Sequence, residues 1–188
     1  SYHISVEQAV ENAGRLITQG GAQAVKLEGG VEFANEIRAI TRASIPVMGH
    51  LGLTPQSVNA FGGFKVQGKT AEAAQRILDD ARALEAAGAF AIVLECIPAT
   101  IAERISAEVH IPTIGIGSGA GCDGQILVYQ DMLGLYGNLA PKFVKRFADA
   151  GQVMQDGFRA YIDEVSARTF PAAEHTFSAA DDALEKLY

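Results

Sequence analysis

Glu95 stands at the end of an apolar run of strand length, residues 90–96, and Ile97-Pro98 follows at once. A run this apolar is typical of a parallel strand that is buried on both faces. Folds of the α/β class place their catalytic groups at the carboxyl ends of such strands, where the following loop opens onto a crevice. The position of Glu95 therefore predicts an acid–base group. The structural alternative is a carboxylate that caps the helix beginning near Pro98.

Three more polar side chains lie close to predicted strand ends: Lys26 and Glu28 in residues 23–28, and His50 in residues 45–50. Because side chains alternate along a strand, the apolar residues on one face are expected to pack on helices. The opposite face then directs Lys26, Glu28, His50 and Glu95 into a common interior. Such a pocket can chelate a hard cation, hold an acid substrate and move a proton. A buried pair of Lys26 with Glu28, or a core histidine, remains the structural alternative.

In the predicted strand at residues 111–117, the same alternation places Ile114 and Ile116 on one face and Thr113 and Gly115 on the other. We expect the two isoleucines to pack on the helices, as the bulky apolar residues of the other strands do.

Apolar periodicity and turn residues indicate the elements that must position these groups. Helices are expected over residues 5–19, 31–43, 70–87 and 98–109 and again beyond 141, with an arm carrying one helical turn from 168. Strands are expected over residues 23–28, 45–50, 90–96 and 111–117, with a short one at 126–129. Alternating strands and helices predict βαβ units and a parallel sheet, hence the α/β class.

A (β/α)₈ TIM barrel is favoured, although that fold takes about 250 residues and eight strands. This chain has 188 residues and about five predicted strands. Either the sheet is open or about three strands precede Ser1. We expect a single domain over residues 1–188, whose tail, 178–188, has no assigned role.

Two glycine-rich segments lie beside the predicted site. Residues 51–69 lack regular period, and a loop this long inside a domain is typical of a lid, with a surface excursion as the alternative. Residues 117–121 follow a late strand, where the context of a dinucleotide fingerprint is absent. Small residues that let the backbone approach a ligand are the preferred interpretation of that second segment.

Composition excludes several classes of protein. The formal net charge is −7 and the basic residues are scattered, so nucleic acid is not expected as a partner. No apolar segment approaches membrane-spanning length and no signal peptide is evident, which favours the cytoplasm and no membrane partner. The two cysteines, Cys96 and Cys122, lack metal-ligand spacing and are expected to be reduced.

The chain resembles the ketopantoate hydroxymethyltransferase family from its first helix to about residue 177. The segment around Gly49-His50-Leu51-Gly52 is the most specific match. The matching segments are 25–30 (VKLEGG), 46–57 (PVMGHLGLTPQS), 61–68 (FGGFKVQG), 94–96 (LEC), 114–117 (IGIG), 123–128 (DGQILV) and 141–143 (PKF).

The resemblance implies a TIM barrel that uses Mg²⁺ in pantothenate biosynthesis. Such an enzyme transfers a hydroxymethyl group from 5,10-methylenetetrahydrofolate to 3-methyl-2-oxobutanoate (α-ketoisovalerate), giving 2-dehydropantoate (ketopantoate). The motifs place the catalytic base on Glu95, a metal ligand on Glu28, and contacts to the keto acid on Lys26 and His50. They assign no folate-binding residue. A homo-oligomer, by resemblance a decamer, is implied as well.

Members of the family also carry two aspartates and a serine on earlier strands, which would precede Ser1. We therefore expect this sequence to be the C-terminal portion of such an enzyme. Two other functions stay open from the residues alone. One is another Mg²⁺-dependent barrel enzyme that forms an enolate from an α-keto acid without folate, such as a lyase of the phosphoenolpyruvate mutase type. The other is a non-catalytic, truncated subunit.

Overall fold

A computed structural model describes residues 2–60, 62–137 and 141–178 of the chain. The chain divides into two compact units, residues 1–127 and 128–188. The predicted single domain over residues 1–188 stays a prediction.

The first unit alternates helices and strands. Its helices are α1 (Val6–Thr18), α2 (Ala34–Arg42), α3 (Ala71–Ala86) and α4 (Ala99–Glu108). Its strands are β1 (Val25–Glu28), β2 (Val47–Gly52), β3 (Ala91–Glu95), β4 (Thr113–Ile116) and β5 (Gly124–Gln125). Short 3₁₀ turns cover Val31–Phe33 and Pro55–Ser57.

The five strands form one sheet in the order β1-β2-β3-β4-β5, and every neighbouring pair is parallel. Helices α2, α3 and α4 connect successive strands, as a parallel sheet requires. The predicted α/β class is therefore confirmed, and closure of the sheet into a barrel stays a prediction.

Helix boundaries follow the capping residues. The Ser5 hydroxyl accepts a hydrogen bond from the backbone N–H of Gln8 at 3.2 Å, and the Thr70 hydroxyl accepts one from the N–H of Ala73 at 3.2 Å. Both bonds satisfy donors that the first helical turn leaves free. At the other end of α3, Gly88 takes a φ of +99°, which a side chain would disfavour.

The core lies between the sheet and its helices. Val25, Leu27 and Val47 from the strands are buried against helical residues that include Ile37 and Leu84. Gly49 permits this contact, because a Cβ there would stand 2.6 Å from the Leu84 side chain. The face of β1 and β2 that carries Val25, Leu27 and Val47 thus packs on helices, as alternation predicted.

Two expected strands differ in the structure. Strand β2 continues to Gly52, so His50 lies within the strand. A strand at 126–129 was expected, but β5 ends at Gln125 and the next turn is helical. Ile126, Val128 and Tyr129 are 46–60% exposed, so a strand there would have had no apolar face to bury.

The second unit contains α5 (Tyr129–Met132), α6 (Ala150–Ala167) and a 3₁₀ turn at Ala173–His175. Helical structure soon after residue 141 was predicted wrongly. The N–H of Phe147 instead donates to the carbonyl of Met132 at 2.8 Å, and the N–H of Ala150 donates to that of Leu133 at 2.9 Å. The one-turn arm after Arg168 is confirmed, and residues 179–188 of the tail lie outside the described residues.

Within the described residues, no helix has both the length and the apolar character needed to cross a bilayer.

Candidate active site

Strand register brings the four predicted polar side chains together. Glu28 on β1 is paired with His50 on β2, and Gly52 at the end of β2 is paired with Glu95 at the end of β3. Registered partners in a parallel sheet project to the same face. The Lys26 Nζ lies 3.0 Å from His50 Nδ1 and 3.3 Å from Glu28 Oε1. On the other side of the imidazole, His50 Nε2 lies 3.1 Å from Glu95 Oε2.

Burial is graded across this cluster. The side chains of His50 and Glu28 are 4% and 7% exposed, whereas those of Glu95 and Lys26 are 17% and 42% exposed. The imidazole is therefore the floor of the site, and the Glu95 carboxylate and the Lys26 amine form its accessible rim. An anionic substrate would reach the amine and the carboxylate before the imidazole.

His50 Nε2 and Glu95 Oε2 lie close together, but their orientation does not meet hydrogen-bond geometry. His50 Nε2 is buried and, among the described residues, has no partner that meets hydrogen-bond geometry, despite Glu95 Oε2 at 3.1 Å. Hydrogen bonds of this kind are often poorly aligned before a substrate is present. The two atoms are thus within hydrogen-bond distance, and a hydrogen bond between them requires a different orientation of the Glu95 side chain.

Both oxygens of Glu28 are occupied by donors from this chain. Oε1 accepts from Lys26 Nζ, and Oε2 accepts from the backbone N–H of Gln56 at 2.9 Å. Sequence reasoning missed Gln56. Its signal is the 3₁₀ turn that Pro55 begins, because the first N–H groups of such a turn have no partner within it.

The backbone of Glu28 is held from a different direction. The hydroxyl of Tyr2 donates to the Glu28 carbonyl at 2.9 Å, and burial raises the pKa of Tyr2 to about 12. Tyr2 therefore stays protonated and keeps this bond at any pH below that value.

The backbone after Glu95 is held tightly. The Glu95 carbonyl accepts from the N–H of Leu53 at 2.8 Å, and the N–H of Cys96 donates to the Ile116 carbonyl at 2.9 Å. Cys96 has a φ of +50°, in the left-handed region that costs a side chain free energy. Pro98, with no side-chain cap, precedes α4, so Glu95 does not act as that helix's cap.

Both cysteines are free thiols, as expected. Burial raises the pKa of Cys96 to about 11, and the neighbouring Glu95 carboxylate adds to the effect. A thiol with this pKa carries little thiolate near neutral pH and is a poor nucleophile. Cys96 is therefore a poor candidate for a nucleophile, and Glu95 stays the predicted acid–base group of the Glu95-Cys96 pair.

The faces of β4 are the reverse of those expected. Register pairs Ile114 with Val93 and Ile116 with Glu95, so both isoleucines share the face of the site. On the helix side, Thr113 is fully buried and its hydroxyl lies 2.6 Å from Ser106 Oγ of α4. A buried polar network can fill a helix-facing position when every group in it has a partner. The alternation of side chains along a strand does not predict such a network, because it assigns only apolar residues to the helix-facing side.

Asp123 completes that network on the helix side of β4. Its carboxylate accepts from the backbone N–H of Thr113 at 2.8 Å and from the Thr113 hydroxyl at 3.0 Å. These bonds lower the pKa of Asp123. Asp123 therefore fastens the start of β5 to the start of β4 and lies outside the site.

The two glycine-rich segments have different surroundings. The loop after β2 is fastened to the site by Gln56 and by the N–H of Gln67, which donates to the Cys96 carbonyl at 3.0 Å. Its role as a lid stays a prediction. In the second segment, a Cβ at Gly119 would contact Ala99, and one at Gly121 would meet Glu103 at 2.8 Å. These two glycines allow α4 to pack closely against the segment. The expectation that its small residues let the backbone approach a ligand is corrected accordingly.

A cavity of about 450 Å³ lies beside the cluster. The turn after β1, the loop after β2 and one side of α3 line it, and Gly52 borders both this cavity and Glu95. None of the four predicted side chains lines it. The cavity floor includes Asp80, whose carboxylate accepts from the N–H of Val31 at 2.9 Å and whose pKa is raised by burial.

Among the described residues, no group of three or more His, Cys, Asp or Glu side chains is arranged to hold a metal ion. Mg²⁺, however, is usually held by one or two protein carboxylates, with waters and substrate oxygens completing its shell. Each oxygen of the Glu28 carboxylate accepts one hydrogen bond and keeps a second lone pair, so this buried carboxylate beside the accessible rim fits as one such ligand.

Parallel strands and a carboxylate–imidazole–amine cluster on one face of their carboxyl-terminal halves define an α/β protein with groups suited to acid–base chemistry. The family model for ketopantoate hydroxymethyltransferase matches residues 1–173. The chain belongs to this family, and it is an enzyme of the hydroxymethyltransferase class.

Individual relatives agree with the family model. A 3-methyl-2-oxobutanoate hydroxymethyltransferase of Clostridium novyi (strain NT) is 64% identical over 188 residues, which are all of this chain and 68% of that protein. Proteins of the same name from Enterococcus faecalis (strain ATCC 700802 / V583) and Carboxydothermus hydrogenoformans (strain ATCC BAA-161 / DSM 6008 / Z-2901) are 63% and 56% identical, with the same coverage. The family resemblance drawn from the motifs is thereby confirmed.

Proposed function

We propose that the protein catalyses Mg²⁺-dependent transfer of a hydroxymethyl group from 5,10-methylenetetrahydrofolate to 3-methyl-2-oxobutanoate, giving 2-dehydropantoate for pantothenate biosynthesis. The names of the relatives support the keto acid as substrate and ketopantoate as product. The observation that carries the proposal is the Glu95 carboxylate at the accessible rim of a buried cluster, with His50 Nε2 3.1 Å away.

In this proposal Glu95 is the general base. It removes the proton from C3 of the keto acid, and the electron pair moves toward the keto oxygen to give an enolate. A carboxylate suits this step because it is unprotonated near neutral pH in its ordinary state. The tightly bonded backbone on both sides of Glu95 supports it, since catalytic groups must be held in place.

Lys26 and His50 are proposed to bind oxygens of the keto acid. The Lys26 amine is the most exposed member of the cluster and lies 3.3 Å from Glu28 Oε1, which keeps a cation at the rim for a carboxylate substrate. Glu28 would contribute one ligand to Mg²⁺. When bound, that ion would supply Lewis-acid polarisation of the keto group.

The transfer itself balances with one water molecule. C3 of the enolate forms a bond to the methylene carbon of the donor, the bonds from that carbon to the two folate nitrogens break, and water supplies the hydroxyl group. The C3 proton and the second hydrogen of water go to the two nitrogens. The products are ketopantoate and tetrahydrofolate. The proposal names no residue that binds the folate donor.

Proton NMR of 3-methyl-2-oxobutanoate in D₂O tests the proposal with the complete natural protein and Mg²⁺. We expect the C3 proton to exchange without folate and ketopantoate to form only when the donor is added. Exchange without product in the presence of the donor would favour an enolate-forming enzyme of another kind. If folded, metal-supplied protein gave no exchange and no product, the proposal would be overturned.

A further inference from the structure

His50 lies between an amine and a carboxylate, and this arrangement defines which ring nitrogen carries hydrogen. Lys26 Nζ lies 3.0 Å from Nδ1, within hydrogen-bond distance. A lysine ammonium group can only donate, so Nδ1 must accept. The remaining ring hydrogen is then on Nε2, 3.1 Å from Glu95 Oε2.

The alternative tautomer, with hydrogen on Nδ1, has a more distant acceptor. If Nδ1 carried the hydrogen, its acceptor would be Glu28 Oε1 at 3.7 Å, which is beyond ordinary hydrogen-bond range. It would also oppose an ammonium donor at 3.0 Å. The His50 side chain is only 4% exposed, so solvent offers little alternative to these partners.

We propose that His50 is a positioning residue for Glu95, acting through an Nε2–H that Lys26 enforces. This inference rests on the proposed role of Glu95 as the base, and it replaces the proposed contact of His50 with the keto acid, because both ring nitrogens then have partners within the protein. The two atoms lie 3.1 Å apart but are not aligned for a hydrogen bond, so the Glu95 side chain must first turn; donation from Nε2 to Oε2 then fixes the rotation of its carboxylate. The other carboxylate oxygen is thereby turned toward the C3 proton.

Two substitutions separate this role from general support of the site. The amide nitrogen of glutamine reaches about as far as Nε2, whereas that of asparagine reaches only as far as Nδ1. His50→Gln can therefore still donate to Glu95, and His50→Asn cannot. Misplacing a catalytic group by about 1 Å can cost about 10²-fold in rate.

The first measurement is the rate of C3 proton exchange in D₂O, with the dissociation constant of 3-methyl-2-oxobutanoate measured by calorimetry on the same complete natural protein with Mg²⁺. We expect His50→Gln to exchange about 10-fold or more faster than His50→Asn, with closely similar keto-acid binding in the two variants. His110 is the matched control, because its side chain is 92% exposed and remote in sequence from the cluster. His110→Gln and His110→Asn should both behave like the wild type.

The second measurement is the ¹⁵N NMR spectrum of the His50 ring. We expect hydrogen on Nε2 in the wild type and a shift toward a mixture of tautomers in Lys26→Met, which keeps the length of the side chain but removes the donor. Equal exchange by the glutamine and asparagine variants, or hydrogen on Nδ1 in the wild type, would overturn this inference alone. Absence of exchange in the wild type would instead overturn the proposed function.

Discussion

At the residue scale, the proposed acid–base chemistry depends on a single carboxylate, that of Glu95. Glu95→Gln preserves the length of the side chain and an oxygen that can face His50, but an amide does not accept a proton near neutral pH. We expect C3 exchange and turnover to fall by about 10²–10⁴-fold, the usual contribution of a general base. NMR exchange and calorimetry of keto-acid binding measure the two effects separately.

The fold and the keto-acid affinity of Glu95→Gln should remain close to those of the wild type. Glu103→Gln is a suitable control, because it makes the same chemical change on α4, outside the cluster. Turnover near the wild-type level in Glu95→Gln would remove Glu95 from the role of base.

Cys96 gives a second prediction at this scale, on stability at alkaline pH. Its folded pKa is raised to about 11, above the value near 9 of an unfolded cysteine. The native thiol thus keeps its proton where the unfolded one loses it, and the resulting stability is present below pH 9 and lost as pH rises toward 11.

Urea unfolding at pH 8 and at pH 10.5 checks this. Between these two pH values we expect the wild type to lose about 1–2 kcal/mol more unfolding free energy than Cys96→Ala does. Cys122→Ala serves as the control and should lose as much as the wild type. Identical losses in all three proteins would contradict a raised Cys96 pKa.

At the scale of the elements, local signals were sufficient for most boundaries. The Ser5 and Thr70 hydroxyls each accept a hydrogen bond from a backbone N–H three residues later, so the helix starts are defined by residues that are close together in sequence. The convergence of Lys26, Glu28, His50 and Glu95 followed from parity along short strands, because a parallel sheet brings strand ends to one edge.

The errors came from interactions between distant residues. Thr113 faces α4 because Ser106 and Asp123 provide it with polar partners, which apolar periodicity does not reveal. The contact of Gln56 with Glu28 joins residues 28 positions apart. The apolar residues soon after residue 141 predicted a helix, but the segment before α6 instead donates hydrogen bonds to the end of α5.

Strand β2 ends against β3 at Gly52, and this contact gives a prediction. Gly52 has a φ of +92°, and a Cβ added there would collide with the Glu95 carbonyl. We expect Gly52→Ala to lower the unfolding free energy by more than about 1 kcal/mol and to slow C3 exchange, because the strand end carrying Glu95 must shift.

Gly14 is the matched control, since it lies inside α1 and a Cβ there would meet nothing within 4 Å. Gly14→Ala should raise the unfolding free energy by about 0.5–1 kcal/mol and leave exchange unchanged. Urea denaturation and NMR exchange of both variants provide the comparison. A Gly52→Ala protein as stable and active as the wild type would show that the strand ends are not closely coupled.

At the scale of the whole molecule, α6 presents an apolar surface to solvent. None of its residues is buried. Met154, Phe158, Tyr161 and Ile162 recur at helical spacing and are 51–62% exposed. Such a stripe is typical of an interface. It supports the homo-oligomer that the family resemblance implies, which stays a prediction.

We therefore expect the complete natural protein to be an oligomer and Phe158→Glu to reduce its molar mass in solution, because the interface would have to bury an unpaired charge. Light scattering coupled to size exclusion, at several protein concentrations, measures this. Gln155→Glu adds the same charge to the same helix, where Gln155 Oε1 already contacts the Arg159 guanidinium at 3.5 Å, and it should keep the wild-type mass. If Phe158→Glu also keeps that mass, α6 is not the interface, and a monomeric wild type would refute the oligomer itself.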